Sequence, residues 1–222
     1  TTARWAQSGF GTQTAAFMVG GSVPARQTLV EEYDGSSWSE TTDLNVAKEG
    51  AAGSGTTTAG INFCGVDPGG FSVTVESWNG SAWTEIADMS TGRVYLASSP
   101  AGTNTATLAA GGENTNPVGI AELWDGSSWT EVGDMNAARS TTGAGTSTSM
   151  IVIGGTPLTV NTEEWDGVSW TEVANIGVAT WVAGSGGTSS SAFGAGGNIS
   201  GNYEAVESYE WTKAQNIKTI TD

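Results

Sequence analysis

An internal repeat dominates this sequence, because a segment with the same aromatic and turn residues returns roughly every 44 residues. Its copies read EEYDGSSWSETTDLN (31–45), ESWNGSAWTEIADMS (76–90), ELWDGSSWTEVGDMN (122–136), EEWDGVSWTEVANIG (163–177) and a shortened ESYEWTKAQNIK (207–218). Repeats of this kind are supersecondary units that bury their apolar faces only against their neighbours. We therefore predict a single domain over 1–217, with units at 1–44, 45–89, 90–135, 136–176 and 177–217 and a tail at 218–222.

Two glycine landmarks keep step with the repeated segment. A Gly-Thr pair appears at the same place in every unit, at 11–12, 55–56, 102–103, 145–146 and 187–188. A run of small or apolar residues ends in Gly-Gly at 20–21, 111–112, 154–155 and 196–197, while the second unit has only Gly65 at this place. Landmarks in a constant order indicate that all the units share one local structure.

Each unit is predicted to form four short strands. The first leads to the Gly-Thr turn, the second ends at Gly-Gly, and the third ends at the leading aromatic, such as Trp78. An Asp-Gly or Asn-Gly hairpin turn follows, and the fourth strand carries the trailing tryptophan, such as Trp83. Four antiparallel strands in this length are typical of a propeller blade, so we predict an all-β, five-bladed propeller of four-stranded antiparallel blades.

The tryptophans are predicted to pack between neighbouring blades, because one sheet of this size cannot bury both of its faces alone. The unit boundaries coincide with the ends of the chain, so no strand exchange is expected to lock the ring. Ring closure is then expected to depend on packing between the first and fifth units, unless residues 1–3 or the tail pair across that seam.

The order of these motifs resembles the kelch repeat, in which an apolar run with Gly-Gly is followed by an aromatic with Asp, then Trp, then Met-x-x-x-Arg. Met89–Arg93 and Met135–Arg139 match the last element, and Leu44–Lys48 and Ile176–Thr180 are weaker versions of it. The GTxT turns and the WDGSSWTE hairpin are most similar to kelch-like repeat proteins encoded by tailed phages of marine bacteria. The resemblance implies a kelch-like propeller, although such propellers usually have six or seven blades.

Composition excludes several partners. The chain has 7 Lys and Arg against 23 Asp and Glu, which gives a net charge of −16 and too few cations to neutralise nucleic-acid phosphates. No apolar run is long enough for membrane insertion. The sequence contains no His, so His-dependent triads and the copper site of kelch-type galactose oxidase are excluded, and we expect no metal or cofactor. The single cysteine, Cys64, is predicted to be a buried core thiol.

Alternation of strands places the two kinds of turn at one end of the blades, here called the turn face. The loops after Gly-Gly and the connections between units lie at the other end, the loop face, and they differ from copy to copy. Residues predicted to surround the central opening of this face, and to be its ligand-binding residues, are Arg4, Lys48, Arg93 and Arg139 with Trp5, Tyr95 and Trp181. Such an opening would bind a sugar acid, a carboxylate or a peptide, as matching arginines of kelch substrate adaptors bind acidic peptides. The alternative is that these cations bond to loop carbonyls and neighbouring acids.

Acidic residues that recur at one position are predicted to be architectural. Asp34, Asp125 and Asp166 stand in identical turns, and one glutamate recurs in every unit at positions 31, 76, 122, 163 and 207. Fivefold recurrence favours a repeated structural role over catalysis. No pair of carboxylates stands out as a hydrolase site, so we expect no enzymatic activity and keep a glycan lyase or hydrolase only as a third possibility.

Two functional hypotheses remain. The first is a non-catalytic component of a phage particle, such as a tail fibre, spike or capsid appendage, located in the virion or outside cells. Its partners would be other virion proteins and a host surface glycan or protein. The second is a secreted lectin-like module with one sugar site between each pair of blades, since near-identical units suit multivalent binding.

Overall fold

The computed structural model describes residues 2–199, 202–203, 208–212 and 215–220. Over these residues the chain forms an all-β, propeller-like fold of four-stranded antiparallel sheets. The predicted order of strands within a unit is confirmed, because each of the first four units forms one such sheet in which the strands pair in sequence. Within the described part of the chain, no helix is long and apolar enough to cross a membrane.

The first two units follow the same plan, with a small additional hairpin in the loop after the second strand. The first unit contains β1 (Ser8–Thr12), β2 (Ala15–Val19), β3 (Ser22–Val23), β4 (Ala25–Arg26), β5 (Val30–Tyr33) and β6 (Trp38–Glu40). The second contains β7 (Ala52–Gly55), β8 (Gly60–Phe63), β9 (Val66–Asp67), β10 (Gly70–Phe71), β11 (Val75–Trp78) and β12 (Trp83–Ile86). Their sheets have the orders β1-β2-β5-β6 and β7-β8-β11-β12, whereas β3-β4 and β9-β10 stand apart as hairpins of the loop face.

The third and fourth units lack that additional hairpin. The third contains β13 (Ala97–Ser98), β14 (Thr107–Ala110), β15 (Ala121–Trp124) and β16 (Trp129–Val132). The fourth contains β17 (Ser140–Thr146), β18 (Ser149–Thr156), β19 (Thr162–Trp165) and β20 (Trp170–Glu172). Both sheets are ordered as their strands occur along the chain.

The fifth unit differs from the other four. It contains β21 (Trp181–Thr188), β22 (Ser191–Ile199), β23 (Asn202–Tyr203), β24 (Ser208–Thr212) and β25 (Gln215–Ile220), with the sheet order β21-β22-β24-β25 and β23 beside β22. Its strand β25 continues past residue 217, where the tail was predicted to begin. Over the described residues, four units form four-stranded sheets, whereas the fifth unit, predicted to be a fifth blade of the same kind, forms a sheet of five strands.

The Asp-Gly hairpin turns owe their uniformity to the side chain of the first residue. Asp34 Oδ1 accepts hydrogen bonds from the backbone N–H groups of Ser36 and Ser37, both at 2.8 Å, while Gly35 adopts a φ of +94°. The same contacts recur around Asn79, Asp125 and Asp166. The repeated structural role predicted for these aspartates is thus confirmed.

Neighbouring sheets pack through aromatic side chains, as predicted. The ring of Trp83 lies 6.4 Å from Phe17 of the first unit, and the ring of Trp129 lies 5.0 Å from Phe63 of the second. These tryptophans are buried, and aliphatic side chains such as Leu108 complete the interfaces. Cys64 is likewise buried in the interface between the second and third units, where loss of solvation raises the pKa of its thiol to about 11.

Candidate functional site

Backbone hydrogen bonds join the connecting segments of the first four units around the axis of the fold. Gly50 N–H donates to Ala6 O at 2.7 Å, Tyr95 N–H donates to Gly50 O at 3.0 Å, and Thr141 N–H donates to Tyr95 O at 3.2 Å. These four residues occupy equivalent places, two positions after Arg4, Lys48, Arg93 and Arg139. The collar they form holds the innermost strands of these four units side by side along one edge of a central space.

The Gly-Gly landmark serves a second contact between units. Its second glycine donates a backbone hydrogen bond to the carbonyl of the basic residue, or of Thr180, in the next unit. The pairs are Gly21 to Lys48 (2.7 Å), Gly65 to Arg93 (2.9 Å), Gly112 to Arg139 (2.9 Å) and Gly155 to Thr180 (2.9 Å). A Cβ added to Gly154 would lie 2.4 Å from Thr180 O, so a side chain there would force the two units apart. Glycine is needed because the two backbones approach so closely.

The basic residues of the loop face are buried and paired within their own units. Ion pairs join Arg4 to Glu31 at 2.7 Å, Lys48 to Glu76 at 3.9 Å, Arg93 to Glu122 at 2.6 Å, and Arg139 to Glu163. Arg139 Nε also donates to Gly154 O, and Lys48 Nζ donates to Thr74 O. These four cations, predicted to surround the central opening as ligand-binding residues, are therefore buried and are not among the described residues that line it. Their surroundings match the alternative, in which they bond to loop carbonyls and neighbouring acids.

The recurring glutamates complete this internal arrangement. Glu76 accepts hydrogen bonds from the backbone N–H groups of Asn45 (2.7 Å) and Val46 (3.1 Å), and Glu163 accepts the equivalent pair from Asn136 and Ala137. Each carboxylate thus fixes the start of its own unit while it neutralises a buried cation. The architectural role predicted for the glutamates is confirmed at these positions, whereas Glu207 lies outside the described residues.

Lys48 differs from the arginines at the same place. Burial lowers the pKa of its ammonium group, and the nearby Glu76 carboxylate only partly opposes this effect. A lysine ammonium is a compact charge without the planar fork that lets arginine contact a carboxylate along one edge. The longer separation from Glu76 agrees with that difference. None of the four cations is available to a ligand in this arrangement.

The central space is a cavity of about 1260 Å³, lined by residues of all five units. Its aromatic members are Trp5, Tyr95 and Trp181, which are the three aromatic residues predicted for the opening. The rings of Tyr95 and Trp181 meet edge to face with their centroids 5.7 Å apart, and Trp5 is 55% exposed. No Lys, Arg, Asp or Glu is among the described residues that line this cavity.

Tyr95 is held in the cavity by an unusual backbone conformation. Its φ of +55° lies in the left-handed region, which glycine favours and which bulky side chains adopt only at a cost of roughly 1–3 kcal/mol. The equivalent Gly50 has a φ of +63° and packs beneath the Tyr95 ring, since a Cβ on Gly50 would lie 3.0 Å from Tyr95 Cε1. Ala6, at the same place in the first unit, also has a left-handed φ of +54°, so this conformation belongs to the repeated collar.

Uncharged polar groups complete the wall. Thr142 Oγ1 and Ser185 Oγ lie 2.6 Å apart and join the fourth and fifth units, and Ser98 Oγ donates to Gly53 O at 2.8 Å. Gln7 adds an amide. Sequence reasoning missed these residues because small hydroxyl residues are frequent throughout the chain. The signal available was their place on the first strand of a unit, which lines the axis of a propeller.

No protein-family model matches the chain, and no curated protein sequence matches it.

Proposed function

We propose that this chain is a non-catalytic binding protein that recognises an uncharged glycan in the central cavity, as a host-binding component of a phage particle. The observation that carries the proposal is an uncharged cavity whose wall combines aromatic rings with hydroxyl and amide groups. Sugars stack their apolar faces on such rings and exchange hydrogen bonds with such polar groups. The cavity exceeds the roughly 300–1,000 Å³ of common small-molecule pockets, which suits an oligosaccharide.

The charge of the wall narrows the class of ligand. An acidic sugar or peptide needs a cation at the site, and the four cations of the loop face are occupied by glutamates. The cavity offers instead the amide of Gln7 and, as hydrogen-bond acceptors, the hydroxyl oxygens of Thr142 and Ser185, since Ser185 Oγ already donates to Gly143 O. These groups suit the hydroxyl groups of a neutral sugar, so we propose a neutral glycan in place of the sugar acid expected from the sequence.

The lectin-like alternative with a sugar between each pair of blades has less support. Those interfaces are occupied by the rings of Trp83 and Trp129, each packed against the preceding unit. We further propose that the fifth unit is a fifth, divergent blade and that the repeat is of the kelch type. The order of glycine, aromatic and basic landmarks supports the kelch type, and we propose a place in the virion only on the resemblance of the repeated motifs that is described under the sequence.

A glycan array tests the ligand class directly. We expect the purified protein to bind neutral oligosaccharides and to lose at least about tenfold in affinity, roughly 1.4 kcal/mol, in Trp181→Ala and Trp5→Ala. Trp38→Ala is the matched control, because Trp38 is also exposed but does not line the cavity. Titration by intrinsic fluorescence gives the affinities.

Two results would contradict the proposal. One is binding restricted to sialylated or uronic-acid glycans, and the other is neutral-glycan binding that Trp5→Ala and Trp181→Ala leave unchanged. Mass spectrometry of purified virions tests the particle assignment separately, because a virion component must be present among their proteins.

A further inference from the structure

A regular rule governs how one unit packs on the next. Each unit offers a side chain of its second strand to the following unit, and each trailing tryptophan packs on the preceding unit. The first group, here called the forward residues, is buried at Phe17, Ile61, Leu108 and Ile151. The trailing tryptophans Trp83, Trp129 and Trp170 are 5%, 9% and 7% exposed. The three interfaces among the first four units each place a forward residue and a trailing tryptophan in one apolar cluster.

The same two kinds of residue are exposed at the seam between the fifth and first units. Phe193 takes the forward position of the fifth unit, because it pairs with Gly186 and Glu210 as Ile151 pairs with Ala144 and Glu164. It is 51% exposed, whereas its four equivalents are buried. At the other side of the seam Trp38, the trailing tryptophan of the first unit, is 40% exposed.

The exposed tryptophan is already arranged for packing. The rings of Tyr33 and Trp38 lie 5.2 Å apart, close to the 5.4 Å of the buried pair Trp78 and Trp83. The hairpin that presents Trp38 also has the same turn contacts as its buried equivalents. One chain thus carries both halves of the repeated interface at once, and the two halves do not cover each other.

We infer that this seam is a self-association surface on which a second copy of the chain packs head to tail. The Trp38 side of one copy would cover the Phe193 side of the other, as Trp83 covers Phe17 within one chain. The choice of a second copy follows from continuity with the internal interfaces, since the complementary surface is present on the same sequence. Such a contact is heterologous, joining two different patches. It is independent of the proposed function, because the cavity residues do not take part.

Net charge gives the association a predictable dependence on salt. Each copy carries a charge of −16, so two copies repel one another and added salt screens that repulsion. The contact itself is apolar and is not weakened by screening. Association is therefore expected to strengthen between low salt and moderate sodium chloride, opposite to the behaviour of a contact made of ion pairs.

Analytical ultracentrifugation of the full chain over a range of micromolar concentrations tests the surface. We expect reversible association that is lost in both Trp38→Glu and Phe193→Glu. Val168→Glu is the matched control, because Val168 is 81% exposed and lies in the hairpin turn of the fourth unit, which is not part of the seam. Circular dichroism verifies that each variant folds, and Trp38→Ser and Phe193→Ser serve as milder variants if a glutamate disturbs folding.

Mixing the variants distinguishes a head-to-tail contact from other arrangements. Trp38→Glu retains the Phe193 side and Phe193→Glu retains the Trp38 side, so the mixture should form a one-to-one dimer although neither variant associates alone. A contact between two identical patches gives no such rescue and would overturn the proposal. The proposal also fails if the wild-type chain stays monomeric. A fluorescence quencher then shows whether Trp38 is accessible to solvent or is shielded because the fifth unit has closed on the first. Association that persists in both variants overturns it as well.

Discussion

Trp129 and Trp38 occupy the same place in equivalent hairpins, yet Trp129 is 9% exposed and Trp38 is 40% exposed. Their local structures agree, since the turns before them have the same Asp-to-backbone hydrogen bonds. The difference comes from what lies opposite, because Trp129 packs on Phe63 of the preceding unit and no described unit covers Trp38 to that extent. A repeated motif thus determines the shape of a hairpin, while its neighbour determines how much apolar surface it buries.

Alanine substitution gives the largest expected contrast between these two sites. Trp129→Ala should lower the free energy of unfolding by about 3–5 kcal/mol, because it opens a cavity inside an interface. Trp38→Ala should cost less than about 1.5 kcal/mol, because much of its ring is already in water. Chemical denaturation of both variants measures the difference at protein concentrations low enough to avoid association. Equal losses of stability would show that Trp38 is packed as well as Trp129 in solution.

Removing one partner of a buried ion pair should also destabilise the first unit less than the fourth, although the difference should be smaller than that between the two tryptophans. Glu163→Gln leaves the buried guanidinium of Arg139 without its counter-charge and should cost about 3 kcal/mol. Glu31→Gln in the first unit should cost less, because the Glu31 side chain retains 11% of its exposure to solvent. Glu131→Gln, at an exposed position of β16, is the control and should change the free energy of unfolding by under about 0.5 kcal/mol. A loss at Glu31 as large as that at Glu163 would contradict the looser packing of the first unit.

Changes to the hairpin turns should have the smallest effect on the free energy of unfolding. The effect should be the same in the turn before Trp129 and in the turn before Trp38. Hydrogen bonds from Ser128 N–H and then Ser127 hold the pKa of Asp125 at about 2, and those from Ser36 and Ser37 hold the pKa of Asp34 at about 2. Both pKa values lie below the roughly 3.9 of an aspartate in an unfolded chain. At pH values between about 2 and 3.9 the unfolded state therefore binds more protons than the folded state. The stabilising contribution is complete above about pH 4 and is lost as pH falls towards 2.

Asparagine is the informative replacement, because Asn79 naturally makes the same turn contacts in the second unit. Asp34→Asn and Asp125→Asn should therefore both fold normally at neutral pH and lose less stability than the wild type between pH 4 and pH 2. Denaturation midpoints at several pH values measure this. A larger effect for Asp125 than for Asp34 would mean that interface packing, and not the local turn, sets the pKa.

The repeat allowed much of the fold to be predicted. Strand order, the two kinds of turn and packing of tryptophans between units followed from local signals such as Asp125-Gly126 and the alternation around Trp129. The register of the fifth unit did not follow, because Trp211 pairs with Ala192 as Trp165 pairs with Met150. By spacing along the sequence, Trp211 instead aligns with the trailing tryptophans, because it lies 41 residues after Trp170 as Trp170 lies 41 residues after Trp129. Without an Asp-Gly turn in that unit, nothing local distinguished the two alignments.

The candidate site was predicted only in part. Trp5, Tyr95 and Trp181 line the cavity as their place between units suggested, whereas Arg93 and Arg139 turn inward to glutamates far away in sequence. A recurring basic residue and a recurring glutamate were both visible in the sequence, but their pairing was not. A buried cation must find a counter-charge, and which acid can reach it depends on how the loops fold back over the sheet.

By itself the sequence determined the module: its strands, its turns and the apolar surface that it must hide, because these depend on residues close together along the chain. Tertiary structure alone decided which surfaces are hidden, which charges are neutralised and what the central wall is made of. These properties depend on distances between units, and a unit buries its faces only where another unit, or another molecule, lies against it.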